Sequence, residues 1–300
     1  MKNNFIHIPV LKKEVLELLN PLPNENFIDC TIGNGGHGLA ILEAIKPKGK
    51  LLGIDLDEKN IEYLKMKIKN LKLEDRLILV NDSFANLKEI VKKENFKSVS
   101  GVLFDLGFSS WHLEKAARGF TFKKKEPLDM RYSYKNQLTA EKILNYWSLA
   151  EIEKILKEYG QEKFARKIAK LIVETRKDKM IKDTFQLVEI IKKAVPKWYC
   201  HRKIHCATKT FQALRIAVNN ELENLREALP QALSILKIKG RMAIISFHSL
   251  EDKIVKDFFK ENKGKIHLLT KKPILPSKEE IKNNPRSRSA KLRAIIKIRK

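Results

Sequence analysis

The chain has 300 residues, 43% of them hydrophobic, enough for one large α/β domain or for a core domain with an insertion. Its 61 Lys and Arg against 36 Asp and Glu leave a net charge of +25, which favours polyanions such as nucleic acid or an acidic membrane surface, although lysine-rich helices such as Glu62–Lys69 also serve as solubilising filler. No apolar run approaches the roughly 20 residues of a membrane helix, Phe5–Leu11 is too short for a secretory signal, and three cysteines make no even disulfide framework, so the expected setting is reducing and cytoplasmic.

The first third alternates strands and helices. Phe27-Ile28-Asp29-Cys30 reads as a strand, Gly33-Asn34-Gly35-Gly36-His37-Gly38 as a glycine turn, and Leu39, Ile41, Leu42 and Ile45 as one side of a helix. A second strand, Leu51-Leu52-Gly53-Ile54, ends in Asp55. A helix with Ile61, Leu64, Ile68 and Leu71 leads to the strand Arg76–Val80, a shorter helix with Leu87, Ile90 and Val91, and the strand Val99–Asp105. Four apolar strands separated by helices predict a parallel sheet covered on both faces.

After Asp105 the rhythm becomes helical. Ser148-Leu149-Ala150-Glu151 is a capping box opening a helix through Tyr159; Phe164, Ile168, Leu171 and Ile172 mark a second, and Thr184–Ala194 a third. The sheet resumes beyond one long helix carrying Phe211, Leu214, Val218, Leu222 and Leu225. The strand Arg241–Ser246 comes next, then a helix capped by Ser249-Leu250-Glu251-Asp252, and two final strands at 266–269 and 292–298. The alternation after Arg286-Ser287-Arg288 predicts an edge strand.

A glycine turn between a strand and a helix, with an acid ending the next strand, is how α/β proteins hold an adenosine-bearing cofactor. Asp55 would hold ribose hydroxyls, and Phe84 beside Asp82 would cover an adenine face. Asp29, Asp55, Asp82 and Asp105 all end strands, where they either face a ligand or cap the next element; for Asp57 the cap is the better reading. No Walker lysine-serine pair follows the glycines, so the pocket fits S-adenosylmethionine, whose cationic sulfonium suits the carboxylates. Asp105-Leu106-Gly107-Phe108-Ser109-Ser110-Trp111 offers a carboxylate, a tight turn and aromatic faces, the parts needed to position an exocyclic base amine. Phe108 and Trp111 serve either as stacking surfaces or as core. Cys200-His201-Arg202-Lys203-Ile204-His205-Cys206 lacks zinc-ligand spacing.

These residues resemble the ribosomal RNA small subunit methyltransferase H family, also called MraW. The likeness runs nearly end to end, through His7–Leu11, Thr31–His37, Asp105-Leu106-Gly107, Arg118–Phe122, Pro127–Arg131, Thr210–Arg215, Ile245–Asp252 and Asn284–Lys291. It implies a seven-stranded Rossmann-like class I methyltransferase sheet with an inserted all-helical domain, with residues 1–112 and 208–300 forming the first and 113–207 the second. It implies methyl transfer from S-adenosylmethionine to N4 of a decoding-centre cytosine in 16S ribosomal RNA. The family's cofactor contacts fall on Gly35, Gly36, His37, Asp55, Phe84 and Asp105, and a further one, usually glutamine, on His112. Asp105 is the residue expected to position the amine. Arg118, Arg131, Arg202, Lys203 and Arg215 are candidates for phosphate contacts or for structural charges, and His248 and Glu251 either line the base pocket or cap the next helix. Cys206 stands where the family usually has proline, before Ala207-Thr208. The partner implied is 16S ribosomal RNA or the small ribosomal subunit, with no membrane and no metal; whether the chain forms a homodimer stays open. The competing readings are a nicotinamide-dependent oxidoreductase, a DNA amino-methyltransferase, which usually carries Asp/Asn-Pro-Pro-aromatic where this chain has Asp105-Leu106-Gly107-Phe108, and a non-enzymatic ribosome assembly factor.

Overall fold

The computed structural model describes residues 9–71, 73–107 and 117–299. The chain divides into two compact units, Met1–Ser109 with Leu222–Lys300, and Ser110–Glu221.

The first unit is built on a seven-stranded sheet. Its strands are β1 (Asn26–Asp29), β2 (Leu51–Asp55), β3 (Leu77–Asn81), β4 (Val99–Asp105), β5 (Leu236–Ser246), β6 (Ile266–Leu268) and β7 (Lys291–Lys297), in the order β3-β2-β1-β4-β5-β7-β6. β1 to β5 pair in parallel, whereas β7 runs antiparallel between β5 and β6. The parallel strands are near-continuous apolar runs because helices cover both faces: Ile28, Leu51, Leu52, Ile54, Val102, Leu103 and Phe104 are all fully buried. Gly101 pairs with Phe27, and a Cβ there would meet the Phe27 ring at 2.2 Å, so only glycine lets β4 lie against this aromatic side chain. The helices of this unit include α1 (Lys12–Leu19), α2 (Gly36–Ala44), α3 (Glu58–Leu71) and α4 (Leu87–Lys93).

β1 is flanked by β2 on one side and β4 on the other. From β1 the chain builds outward to β3, then crosses back to β4. That reversal opens a crevice beyond the carboxyl ends of β1 and β4, the place where open α/β sheets bind ligands. Asp29 ends β1, Asp55 ends β2 and Asp105 ends β4, as expected, whereas β3 ends at Asn81 and the expected Asp82 is the residue after it.

From residue 140 the second unit is built of helices, α5 (Ala140–Tyr146), α6 (Leu149–Glu158), α7 (Ala165–Asp178), α8 (Thr184–Ala194), α9 (Lys197–Cys200) and α10 (Thr208–Asn219), while its described residues 117–139 are irregular. The expected capping box at Ser148 and Glu151 opens α6, and a second, Asp183 with Gln186, opens α8. Ile152, Ile168, Leu187 and Leu214 share one core. The chain then enters α11 (Glu221–Ile235), and after β5 come α12 (Ser249–Glu261) and α13 (Lys278–Asn283). None of the described helices is long and apolar enough to cross a membrane.

Four expectations need correction. The long helix through Phe211 and Leu225 is two helices, because Asn220 adopts a left-handed conformation (φ 50°) and ends α10. The helical unit does not stop at residue 207: Phe211, Ala213, Leu214 and Val218 of α10 lie in its core, which carries it to Glu221. The C-terminal strand is not at an edge, since β7 pairs on both sides and β6 closes the sheet; Pro285–Ser289, with Arg286 and Arg288, is a short 3₁₀ turn before it. The cap of α12 is His248 rather than Ser249, its Nδ1 accepting from the Glu251 N–H while the Glu251 carboxylate accepts from His248 N–H.

Candidate active site

The glycine turn is held in place from two strands. Gly35 caps α2 with φ 81°, a conformation that strains any residue with a side chain, and a Cβ there would strike Leu64 at 2.8 Å. Asp55 Oδ2 accepts the Gly33 N–H at 2.8 Å and an Asn60 amide N–H at 3.2 Å, while its Oδ1 accepts from Asp57 N–H at 2.8 Å. Asp55 thus fastens the turn to the tip of β2. A carboxylate has about four lone-pair positions, so the same group that shapes the turn is also chemically suited to ribose hydroxyls. Asp57 accepts the Lys59 N–H at the start of α3, as a cap does. Asp82 accepts from Ser83 N–H and the Asn86 amide, and Phe84 packs edge-on against Phe104 with ring centres 5.7 Å apart.

The centre of the edge is a buried cluster of charge. Asp29 is 1% exposed and His37, in the first turn of α2, is 5% exposed. His37 Nε2 lies 3.5 Å from Asp105 Oδ2. Thr31 links the two acids: its N–H donates to Asp29 Oδ1 at 3.0 Å, and its hydroxyl oxygen accepts the Asp105 N–H at 2.7 Å. Burial pushes the Asp29 carboxyl up to about 7, against the pull of His37 and the Thr31 N–H and aided by the negative charges of Asp105 and Asp55. Burial opposes charge on His37 as well, but Asp105 and then Asp29 outweigh it and raise its pKa above the ordinary histidine value. Among the described residues, neither ring nitrogen of His37 nor Asp105 Oδ1 finds an aligned hydrogen-bond partner, although all three atoms are buried. Buried polar atoms left unpaired at a ligand edge mark where a polar ligand belongs.

Of the expected cofactor contacts, Gly35, Gly36, His37, Asp55, Phe84 and Asp105 belong to the strand tips and turns at this edge of the first unit. His112 lies outside the described residues, as do Phe108, Ser109, Ser110 and Trp111. Thr31 was not singled out from the sequence, although its place two residues after a strand-ending aspartate is the signal for it.

The model of the MraW methylase family matches residues 4–298. The chain is 47% identical to a ribosomal RNA small subunit methyltransferase H of Dictyoglomus thermophilum over 96% of its own length and 95% of that protein's. It is 46% identical to the protein of the same name from Thermotoga neapolitana, over 98% and 96%. The chain belongs to the MraW methylase family. Its fold also resembles the crystal structure of a proposed rRNA-methylase from Clostridium thermocellum, with a TM-score of 0.50, 15% identity, and coverage of 98% of this chain and 100% of that one.

In this MraW-family chain three of the five basic candidates are built into the protein. Arg118 is 2% exposed, donates to the Arg131 and Tyr132 carbonyls at 3.0 Å, and stacks over Tyr134. Arg131 clasps Asp129 through Nε and Nη2 at 3.0 and 2.7 Å. Arg215 makes a two-pronged pair with Glu221, both bonds 2.8 Å. Arg202 and Lys203 are exposed. Cys200 and Cys206 are joined in a disulfide, which corrects the expectation of no paired cysteines; Cys30 is buried and free. Glu251 is buried at the start of α12, where its carboxylate accepts from Phe247 and His248 N–H, so this acid and His248 serve as a cap.

Proposed function

We propose that this protein transfers the methyl group of S-adenosylmethionine to ribosomal RNA, at the exocyclic N4 amine of one cytosine in the decoding region of the 16S molecule. The observation that carries this reading is the Asp29–His37–Asp105 cluster at the sheet's switch point, with an oxygen of Asp105 that has no partner among the described residues. The cofactor, when bound, supplies an electrophilic methyl on a positively charged sulfur. Gly35 and Gly36 let the backbone come close to it, His37 and Asp55 offer it polar contacts, and Phe84 gives an aromatic face for its adenine.

The amine of cytosine is a poor nucleophile because its lone pair is delocalised into the ring. Asp105 Oδ1 accepts a hydrogen bond from it, which orients the nitrogen and raises its electron density as the new bond forms. The Thr31 hydroxyl holds the Asp105 backbone, so the carboxylate is set before substrate arrives. The nitrogen sheds a proton once it carries the methyl group, so no strong base has to act first. The base reaches such a pocket only when unstacked from its neighbours.

Labelled S-adenosylmethionine with small ribosomal subunits from a strain lacking the gene tests this directly. N4-methylcytidine at a single site in the digested RNA is the expected product, and methyl label on another nucleoside would replace the cytosine assignment. Asp105→Ala should lower the rate by roughly 100-fold or more while leaving the melting curve largely intact. Asp55→Ala should weaken cofactor binding before RNA binding, since it both removes an acceptor and releases the Gly33 N–H.

A further inference from the structure

One face of the helical unit carries aromatic rings and cations together. Trp198, on α9, is 56% exposed. Its indole meets Phe164 edge-on at 6.2 Å and Tyr199 at 5.7 Å, and those two rings lie 4.9 Å apart. The inner ring is locked: Tyr199 is 5% exposed, and its hydroxyl donates to the Glu162 carboxylate, both oxygens lying at 2.9 Å. Burial, with Glu162 beside it, pushes the Tyr199 hydroxyl up to about 12, so it stays a neutral donor. Lys163 and Lys167 stand 6.0 and 5.9 Å from the Phe164 ring, and Arg202 stands 5.4 Å from the Tyr199 ring.

The segments that carry this cluster are rich in cations. No Asp or Glu occurs from Lys163 to Val173, or from Ile190 to Asn220. The nearby acid, Glu162, is 4% exposed and turned to Tyr199. The Cys200–Cys206 disulfide pins both ends of the segment that carries Arg202 and Lys203. A single exposed tryptophan needs no explanation, but an exposed ring braced from behind by two others, with Lys163, Lys167 and Arg202 beside those rings, matches a single-stranded nucleic acid. Bases stack on the ring whatever their identity, and phosphates take the cations.

We propose that Trp198, braced by Phe164, is a stacking platform for an unpaired base of the ribosomal RNA substrate, with Lys163, Lys167 and Arg202 facing the adjoining phosphates. This rests on the reading of the protein as an rRNA methyltransferase. It separates two kinds of contact, because the stack does not respond to salt and the phosphate contacts do.

The test measures binding of a labelled single-stranded RNA of about 12 mixed nucleotides, and of the same strand with its bases replaced by abasic sites, across a range of salt. Trp198→Ala should weaken the ordinary strand by roughly 5- to 100-fold, leave the abasic strand unchanged, and keep the slope of log affinity against log salt. Trp198→Phe should retain most of the affinity, which rules out a general loss of structure. Unchanged affinity in Trp198→Ala, or an equal loss on the abasic strand, would overturn the platform while methyl transfer to rRNA stands. A dimer that dissociates in Trp198→Ala, with RNA affinity intact, would overturn it in favour of contact between copies. No binding of RNA or of small subunits by the unaltered protein would overturn both readings.

Discussion

At the scale of single residues, the fold opposes the charge on the Asp29 carboxyl. Its pKa rises from an ordinary 3.8 to about 7 because it is buried beside two other acids. A folded-state pKa above the unfolded one means that the native protein binds more protons between those values, so the stabilisation is complete below about pH 4 and disappears as pH rises through about 7. His37, also raised, has the same sign: its contribution is present below the ordinary histidine value and is lost as pH climbs through its folded value. Asp29→Asn keeps the acceptor for Thr31 and carries no charge. Urea unfolding should therefore show the variant gaining on the parent by about 2–4 kcal/mol between pH 4 and pH 8; equal slopes with pH would mean that Asp29 titrates normally. From the sequence, Asp29, Asp55 and Asp105 all end strands, and roles fall only to Asp55, at the ribose, and Asp105, at the amine. What separates them is burial and neighbours. Asp55 is tied up by backbone N–H groups, Asp29 is sealed, and Asp105 keeps an oxygen without a partner among the described residues.

At the scale of elements, periodicity and caps were legible wherever the determinants were local. Ser148 and Glu151 are three residues apart, so the start of α6 could be read from a four-residue window. The break between α10 and α11 could not, because the apolar spacing runs on through Val218, Leu222 and Leu225 and only the backbone at Asn220 interrupts it. Asparagine tolerates the left-handed region better than other residues with a β-carbon, and glycine tolerates it best. Asn220→Gly should leave the melting temperature nearly unchanged, whereas Asn220→Val should cost about 1–2 kcal/mol; a neutral valine would show that α10 and α11 can join. The local pattern favours Ser249 as the cap of α12 over His248, because serine is a usual capping residue and histidine is not. Its Nδ1 acts as the acceptor only because the Glu251 carboxylate holds the His248 backbone in return.

At the scale of the whole molecule, the net charge of +25 says that a polyanion is favoured but not which cations meet it. Arg118 and Arg202 make the contrast. Arg118→Ala leaves two carbonyls without their donor and removes a stacked ring contact, so it should destabilise the protein by about 2–4 kcal/mol with no change in the salt dependence of RNA binding. Arg202→Ala should leave stability within about 0.5 kcal/mol and reduce the salt slope for single-stranded RNA by about 0.7, one phosphate's worth. The opposite pattern, read by urea unfolding and salt titration, would reverse the two roles. The sequence by itself determined the alternation of strands and helices, the glycine turn, the acids at the strand tips and the family, because each depends on residues close together in the chain. Tertiary structure decided the rest: that β7 lies inside the sheet, that α10 belongs to the helical core, that Cys200 meets Cys206, and which arginines are spent on carbonyls and carboxylates. The first two outcomes depend on elements far apart in the chain. The disulfide and the Arg131–Asp129 and Arg215–Glu221 pairs join residues within six positions of one another, and they depend on the backbone path that turns those side chains together, which residue pattern alone does not carry.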